Sequence, residues 1–253
     1  MASDVKTLIY GRKPVLEALN SNHPIDVILI AKGTQSKGPI AEIIALSQKQ
    51  NITVQWTERS QLDRLATSHQ GIIAEIPAFR YASVDSMLSL AQERHESPLL
   101  LILDQIQDVH NLGSLIRTAE AVGAHGIVIP ERRAAAITPA VMKSSAGAIT
   151  HLLVAQVTNL VRVISSLKKE NVWVVGLDMA GDQAYDDLDW QIPLALVIGS
   201  EGKGLSRLVR ETCDFLVRLP MRGKVESLNA AVAGSIVLYT AWRSGAGDKI
   251  PNS

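Results

Sequence analysis

The stretch "IGSEGKGLSRLV" sets Gly199, Gly202 and Gly204 around one carboxylate, Glu201, directly after an apolar run. Glycine lets backbone N–H and C=O groups approach a ligand closely, so a phosphate cradle is the first chemistry to test. The pattern G-x-x-x-x-G-K-[ST] fails, because Leu205 follows Gly204 where lysine is required. The dinucleotide pattern G-x-G-x-x-G fails as well, since Arg207 occupies the third glycine position after Gly202 and Gly204. Both failures count against a nucleotide-dependent α/β enzyme. Lys203 and Arg207 leave the loop basic on one side.

Two further stretches carry polar side chains at suggestive spacing. In "LDQIQDVHNLGSLIRTAEAVGA", Asn111, Arg117 and Glu120 stand six and three residues apart. On a helix Arg117 and Glu120 share a face, with Asn111 near the N-terminal end. Taken alone, this fits a cap followed by a solvated ion pair. In "PMRGKVESLNAAVAGSIVLYTAW", a basic loop leads into a helix lined with Ala, Gly and Ser, which lets another backbone pack close. Ser227 is the expected N-cap, and Asn229 falls in the first turn of an otherwise apolar helix. The six histidines form no zinc-type cluster with the one cysteine, Cys213, so no metal is expected.

The elements that must hold these residues follow from periodicity. Up to residue 80, "DVILI", "ITVQW" and "GIIAEI" read as strands, with helices over "PIAEIIALSQKQ" and "SQLDRLAT", the latter capped by Ser60. That is a small α/β domain. Residues 81–97, with a proline close to each end and a polar middle, read as a linker containing a short helix. From 98 to 253, apolar runs such as "LLLILD", "HGIVIP", "HLLVA", "NVWVVGL", "PLALVIG" and "DFLVRLP" alternate with helical segments. The fold class is therefore α/β, with a mostly parallel sheet and helices on both faces. Ligands in such sheets bind beyond the carboxyl ends of strands, where two of the three chemical stretches fall.

Composition narrows the class. The 253 residues are 47% hydrophobic and 20% charged, with zero formal net charge, so no global field advertises nucleic acid, though a local basic face remains open. A single cysteine allows no internal disulfide and suits a reducing compartment. No apolar run reaches the ~18 residues needed to span a bilayer, and "MASDVKTLIYGRKP" lacks a secretory core, so a cytoplasmic protein without membrane contact is expected.

In order and spacing, the three stretches resemble the motifs of the SpoU family of RNA ribose 2′-O-methyltransferases in the SPOUT superfamily. The first is similar to N-L-G-x-x-x-R-T-A-x-x-x-G, although Val109 stands where the family usually has proline. "IYGRKPVLEAL" and "HQGIIAEI" resemble the small N-terminal, ribosomal-protein-like substrate-binding domain of longer members. The resemblance implies a deep trefoil knot in the C-terminal SPOUT domain and S-adenosylmethionine as cofactor. It implies a homodimer with sites shared between subunits. It assigns catalysis to Arg117, Asn111, Glu201, Ser227 and Asn229. Cofactor binding falls to Leu177, Ile198, Gly199, Gly202, Leu219, Met221, Ser227 and Leu228, and RNA binding to Arg12, Lys13, Arg117, Lys203 and Arg207. "AAAITPAVMKSSAGAITHLLVAQVTNL" is most similar to members that modify a guanosine of 23S ribosomal RNA. Transfer RNA guanosine, another ribosomal nucleotide, and a non-catalytic RNA-binding scaffold of the same fold stay open as alternatives.

Overall fold

The computed structural model describes residues 7–20, 24–77 and 79–247. They divide into two units between Arg80 and Tyr81.

The first unit is built from β1 (Thr7–Tyr10), α1 (Arg12–Asn20), β2 (Val27–Ala31), α2 (Pro39–Lys49), β3 (Thr53–Thr57), α3 (Arg59–Leu65) and β4 (Ile72–Ile76). The sheet order is β1-β4-β2-β3, with β2 and β3 parallel and β4 antiparallel to both its neighbours. Alternate residues Ile28 and Ile30 of β2 are fully buried with Ile40 and Ile43 of α2 and with Val15 and Leu19 of α1. This period-two against period-four pairing is what the apolar pattern encodes. The α3 helix starts two residues earlier than a Ser60 cap would place it, after an extended Glu58.

The second unit carries α4 (Val84–Arg94), β5 (Leu99–Leu103), α5 (Val109–Ala121), β6 (Gly126–Pro130), α6 (Pro139–Ser144), β7 (Val154–Val157), α7 (Leu160–Lys169), β8 (Trp173–Leu177), β9 (Gln183–Ala184), β10 (Leu194–Ile198), α8 (Arg207–Thr212), β11 (Phe215–Arg218) and α9 (Ala230–Arg243). All seven strands are parallel, in the order β7-β6-β5-β10-β8-β11-β9. One sheet face, with Leu100, Ile102, Val174, Ala195 and Val197, packs against Met87 of α4, Ile164 of α7 and Val209 of α8. The other face meets α9: a Cβ on Gly234 would lie 2.9 Å from Leu115 of α5 and 3.1 Å from Ile198 of β10. Only a helix with no side chain there sits so close. Strands buried on both faces explain why their sequences are continuous apolar runs rather than alternating ones.

Residues 81–97 carry the expected short helix, α4, and group with the second unit. The Ala82 N–H donates to Val154 O at 2.8 Å, and Ile137 N–H donates to Tyr81 Oη at 3.3 Å. Ser83 caps α4 by accepting from Ser86 N, and Met87 and Ala91 are fully buried. A polar helix that buries only those two apolar positions gives too weak a pattern to be told from a tether.

No helix among the described residues is long and apolar enough to cross a membrane.

Candidate active site

The ends of three adjacent strands set the site. In the ladder, Ile198 of β10 lies level with Leu103 of β5 on one side and Leu177 of β8 on the other. The chain leaves each strand at the same edge, into Asp104, Gly199 and Asp178.

The Gly199 loop turns back on itself at once. Ser200 N donates to Gly204 O at 3.1 Å, and Gly204 N donates to Ser200 O at 2.9 Å. A Cβ on Gly199 would lie 2.2 Å from the carbonyl carbon of Gly204, so no side chain fits. Gly202 (φ +78°) and Gly204 (φ +63°) occupy the left-handed region. The glycines are thus demanded first by the loop's own closure, before any ligand is considered.

Two buried carboxylates pin this loop from behind. Asp104 accepts from Ser206 N at 2.6 Å. Asp178 accepts from Arg210 Nε and Nη2, both at 2.9 Å, and from Ala180 N at 3.0 Å. Removing either member of the Asp178–Arg210 pair would strand a buried or half-buried charge, a loss of about 3–5 kcal/mol for well-buried pairs and less here because Arg210 is partly solvated. Both aspartates directly follow a buried strand, a position that was legible and went unused.

Asn229 ties the three chemical stretches together. Its Oδ1 accepts from Ala231 N and Val232 N, making Asn229, not Ser227, the N-cap of α9. Its Nδ2 donates to Asn111 Oδ1 at 2.9 Å and to Glu201 Oε2 at 3.2 Å. Asn111 Nδ2 approaches the same carboxylate oxygen at 3.5 Å. Asn111 is itself set by Asp108, the N-cap of α5, which accepts its backbone N–H at 2.8 Å. Two amides therefore converge on one oxygen of Glu201, while Oε1 has no partner among the described residues.

Two cavities open at this cluster. The larger, about 620 Å³, is walled by Leu177, Ile198, Gly199, Gly202, Leu219, Met221, Ser227 and Leu228, all eight expected cofactor residues. Sequence reasoning missed Asp178, Glu226 and Ala233 in the same wall. Among the described residues the wall includes Asp178, Glu201 and Glu226 and no lysine, arginine or histidine. The smaller cavity, about 300 Å³, is lined by Gln105, Gln107, Asp108, Asn111 and Lys203, and shares Ser200 and Glu201 with the larger. Gln105 holds φ +63°, uncommon for a residue with a side chain.

Other expected residues stand apart. Arg117 is exposed on α5, lines neither cavity, and forms no ion pair with Glu120; among the described residues its guanidinium has no partner. Arg207 pairs with Glu211 at 2.8 Å on the outside of α8. Arg12 and Lys13 belong to the first unit. Burial, reinforced by Asp214, pushes the Cys213 thiol up to about 12, so it stays protonated and takes no part. No three His, Cys, Asp or Glu side chains stand together as metal ligands among the described residues.

Known proteins share this arrangement. Residues 98–239 match the SpoU rRNA Methylase family, and residues 8–82 match the substrate-binding domain of RNA 2′-O ribose methyltransferases. YacO of Bacillus subtilis, assigned to the TrmH family of tRNA/rRNA methyltransferases, is 48% identical over 236 residues, covering 93% of this chain and 94% of YacO. A Staphylococcus saprophyticus relative with the same assignment is 45% identical over 237 residues, 93% of this chain and 95% of its own. The crystal structure of the SpoU methyltransferase AviRb from Streptomyces viridochromogenes, in complex with AdoMet, superposes with a TM-score of 0.62 at 27% identity, over 94% of this chain and 90% of AviRb.

Proposed function

The chain belongs to the SpoU methylase family and is an S-adenosylmethionine-dependent RNA methyltransferase, and we propose that its acceptor is the ribose 2′-hydroxyl of a guanosine in 23S ribosomal RNA. The observation that carries this reading is the Asn111–Asn229–Glu201 cluster standing in the partition between two cavities.

The larger cavity suits the cofactor. S-adenosylmethionine, when bound, supplies an electrophilic methyl on a sulfonium. A wall holding three carboxylates and no cation favours a ligand with positive centres and opposes a phosphate. Leu177, Ile198, Leu219 and Leu228 offer apolar surface to adenosine, and the tight Gly199 turn presents backbone amides and carbonyls.

The smaller cavity suits the acceptor nucleoside. Gln105, Gln107 and Asp108 bring carbonyl and carboxylate acceptors, which match the N1–H and N2–H donors of a guanine edge. Within it, Glu201 Oε1 is placed to accept the 2′-hydroxyl hydrogen bond and the proton released as the oxygen gains its methyl. Asn111 and Asn229 hold that carboxylate still, and positioning of this kind supplies much of the rate in a displacement reaction.

Arg117 belongs, in this reading, to the site of a second copy. It is exposed and has no partner among the described residues, and α9 also exposes Val232, Ile236 and Tyr239 at spacings of four and three, one apolar stripe. Two copies meeting through these helices would give Arg117 a phosphate to grip beside the partner's cofactor. A guanidinium offers donors and no acceptor, so in this reading it anchors and orients and does not act as the base. Such an enzyme works in the cytoplasm, where ribosomal RNA is made and modified. The C-terminal trefoil knot of the family is part of the same proposal.

The test uses two variants and their mixture. Arg117→Ala is expected to lower kcat at least ~100-fold with cofactor affinity unchanged. Leu228→Arg places an unpaired charge in an apolar wall and is expected to abolish cofactor binding first. Mixed dimers of the two should regain one working site in methyl transfer to 23S RNA. No recovery, with both variants folded and dimeric, would refute the shared site; labelled methyl going only to transfer RNA would refute the acceptor.

A further inference from the structure

Strands β6, β5 and β10 are neighbours in the large sheet, and the loops that follow them stand in the same order at its carboxyl edge. The loops after β5 and β10 line the smaller cavity, with Lys203 on the β10 side. The loop after β6, residues 131–135, is next in the row, on the far side of the β5 loop. Hydrogen bonds lace the three together. Ser206 N donates to Asp104 Oδ2 at 2.6 Å, Asp104 N donates to Ile198 O at 2.8 Å, and Ala135 N donates to Ile106 O at 2.8 Å.

The β6 loop is pinned two residues to either side of Arg133. Glu131 N donates to Val157 O at 2.9 Å on one side, and buried Ala135 is tied to Ile106 on the other. Between these pins Arg133 holds φ +59°, in the left-handed region, which is uncommon for a residue with a long side chain. Gln105, in the loop to which it is tied, holds φ +63°. Backbone strain of this kind persists where the surroundings enforce it, and it clusters at ligand-contacting sites. Arg132 and Arg133 are both exposed, and among the described residues neither guanidinium has a hydrogen-bond or ion-pair partner. Glu131, the carboxylate on the same loop, pairs with neither. Arg207 and Arg210, by contrast, are paired with Glu211 and Asp178. The flank beyond the β5 loop is thus a fixed backbone carrying two free cations.

We propose that the substrate RNA runs across this edge of the sheet, with the acceptor nucleoside in the smaller cavity, one flanking phosphodiester at Lys203 and the other at Arg132 and Arg133. The proposal rests on the reading of the smaller cavity as the acceptor site and adds the path of the strand through the second unit. The loops after β6 and β10 are two strand spacings apart, about 10 Å, a gap that one splayed nucleotide and its two phosphates can bridge. Bases that proteins read in RNA are mostly splayed from single-stranded loops, and a base turned into the cavity leaves its phosphates at the rim. Phosphate contacts fix register without reading sequence, which suits cations on the rim and leaves the base to Gln105 and Gln107. Arg132 and Arg133 serve the site of their own subunit, whereas Arg117 serves the partner's.

The experiment measures binding of the full-length protein to transcribed 23S ribosomal RNA and to transfer RNA across a salt series, with steady-state methyl transfer alongside. The comparison is read on whichever RNA the wild type methylates. Arg132→Ala/Arg133→Gly is expected to bind about tenfold more weakly, with the salt slope reduced by roughly two, about one per lost contact. KM for the RNA should rise accordingly while kcat and S-adenosylmethionine affinity hold, as for a grip made equally in ground and transition states. The urea midpoint should not fall, because glycine takes φ +59° without strain, so weaker binding is not a loss of fold. Arg132→Lys/Arg133→Lys keeps both charges and should keep the wild-type slope. Ethylating the phosphates that flank the acceptor nucleotide removes the charge the arginines meet. It should weaken the wild type more than the double variant, which has already lost that contact. Wild-type KM and slope in the double variant, or equal losses on ethylation in both proteins, would overturn the path and leave the acceptor reading standing. A wild-type chain that methylates neither RNA would overturn the acceptor reading and this proposal with it.

Discussion

The Asn229 side chain makes four hydrogen bonds, two that cap α9 and two that hold Asn111 and Glu201. The two pairs can be separated by substitution. Asn229→Ala loses both, costing about 1 kcal/mol for the cap. Asn229→Asp keeps an oxygen for Ala231 and Val232 but replaces the donor with a carboxylate facing Glu201 Oε2. It is expected to unfold in urea near the wild-type midpoint while kcat falls at least ~100-fold, as for loss of a positioned proton-transfer group. Equal losses of stability in both variants would mean that the amide nitrogen serves only the fold. The sequence pointed to Ser227 as the cap and put Asn229, two residues on, in the first turn, although both residue types cap well. What decided between them was Asn111 and Glu201, 118 and 28 residues away. No local propensity carries that information. The identity of the cluster was legible as motif, and its hydrogen-bond order was not.

At the scale of elements, the central strands of the second unit, β5 and β10 above all, were legible because they are unbroken apolar runs buried on both faces. The α4 helix was legible as a short helix but not as part of the second unit, since it fully buries only Met87 and Ala91. The two-residue strand β9 carries no periodicity at all. The first unit's β1 and α1 are short, and only their likeness to a known domain pointed to them. One junction between elements makes a pH prediction. His125, fully buried before β6, accepts from Leu99 N through Nδ1 at 3.0 Å and so donates through Nε2 to Glu96 at 3.2 Å. Burial lowers its pKa, opposed in part by the charge of Glu96. The unfolded chain then takes up the proton more readily than the folded one as pH falls below about 6.5. The contribution to stability is present above that value and is lost progressively below it, toward the folded pKa. The urea midpoint of the wild type is expected to drop more between about pH 7.5 and pH 5.5 than that of His125→Gln, which cannot titrate. Parallel drops would remove His125 as the cause.

At the scale of the whole molecule, each unit has its own buried core, from Ile9 to Ile76 in one and around Met87, Ile102 and Val197 in the other. A chain lacking residues 1–80 is therefore expected to keep its cofactor affinity, by calorimetry, and to lose RNA affinity by at least about tenfold, as expected when several phosphate contacts go. Unchanged RNA affinity would place recognition in the second unit alone.

The order of the large sheet has a consequence for how the protein comes off the ribosome. Strand β10 lies between β5 and β8, both made before it, and the larger cavity takes its walls from Leu177 through Ala233. The first unit is complete once about a third of the chain has been synthesised, since domains fold as they emerge. The larger cavity, the proposed cofactor chamber, cannot close until β10 has entered the gap and α9 has docked on it, both made well after the first unit. If the first unit binds RNA as expected, a nascent chain would hold RNA before it could methylate it, and a message truncated within α9 would yield a protein that occupies substrate without modifying it.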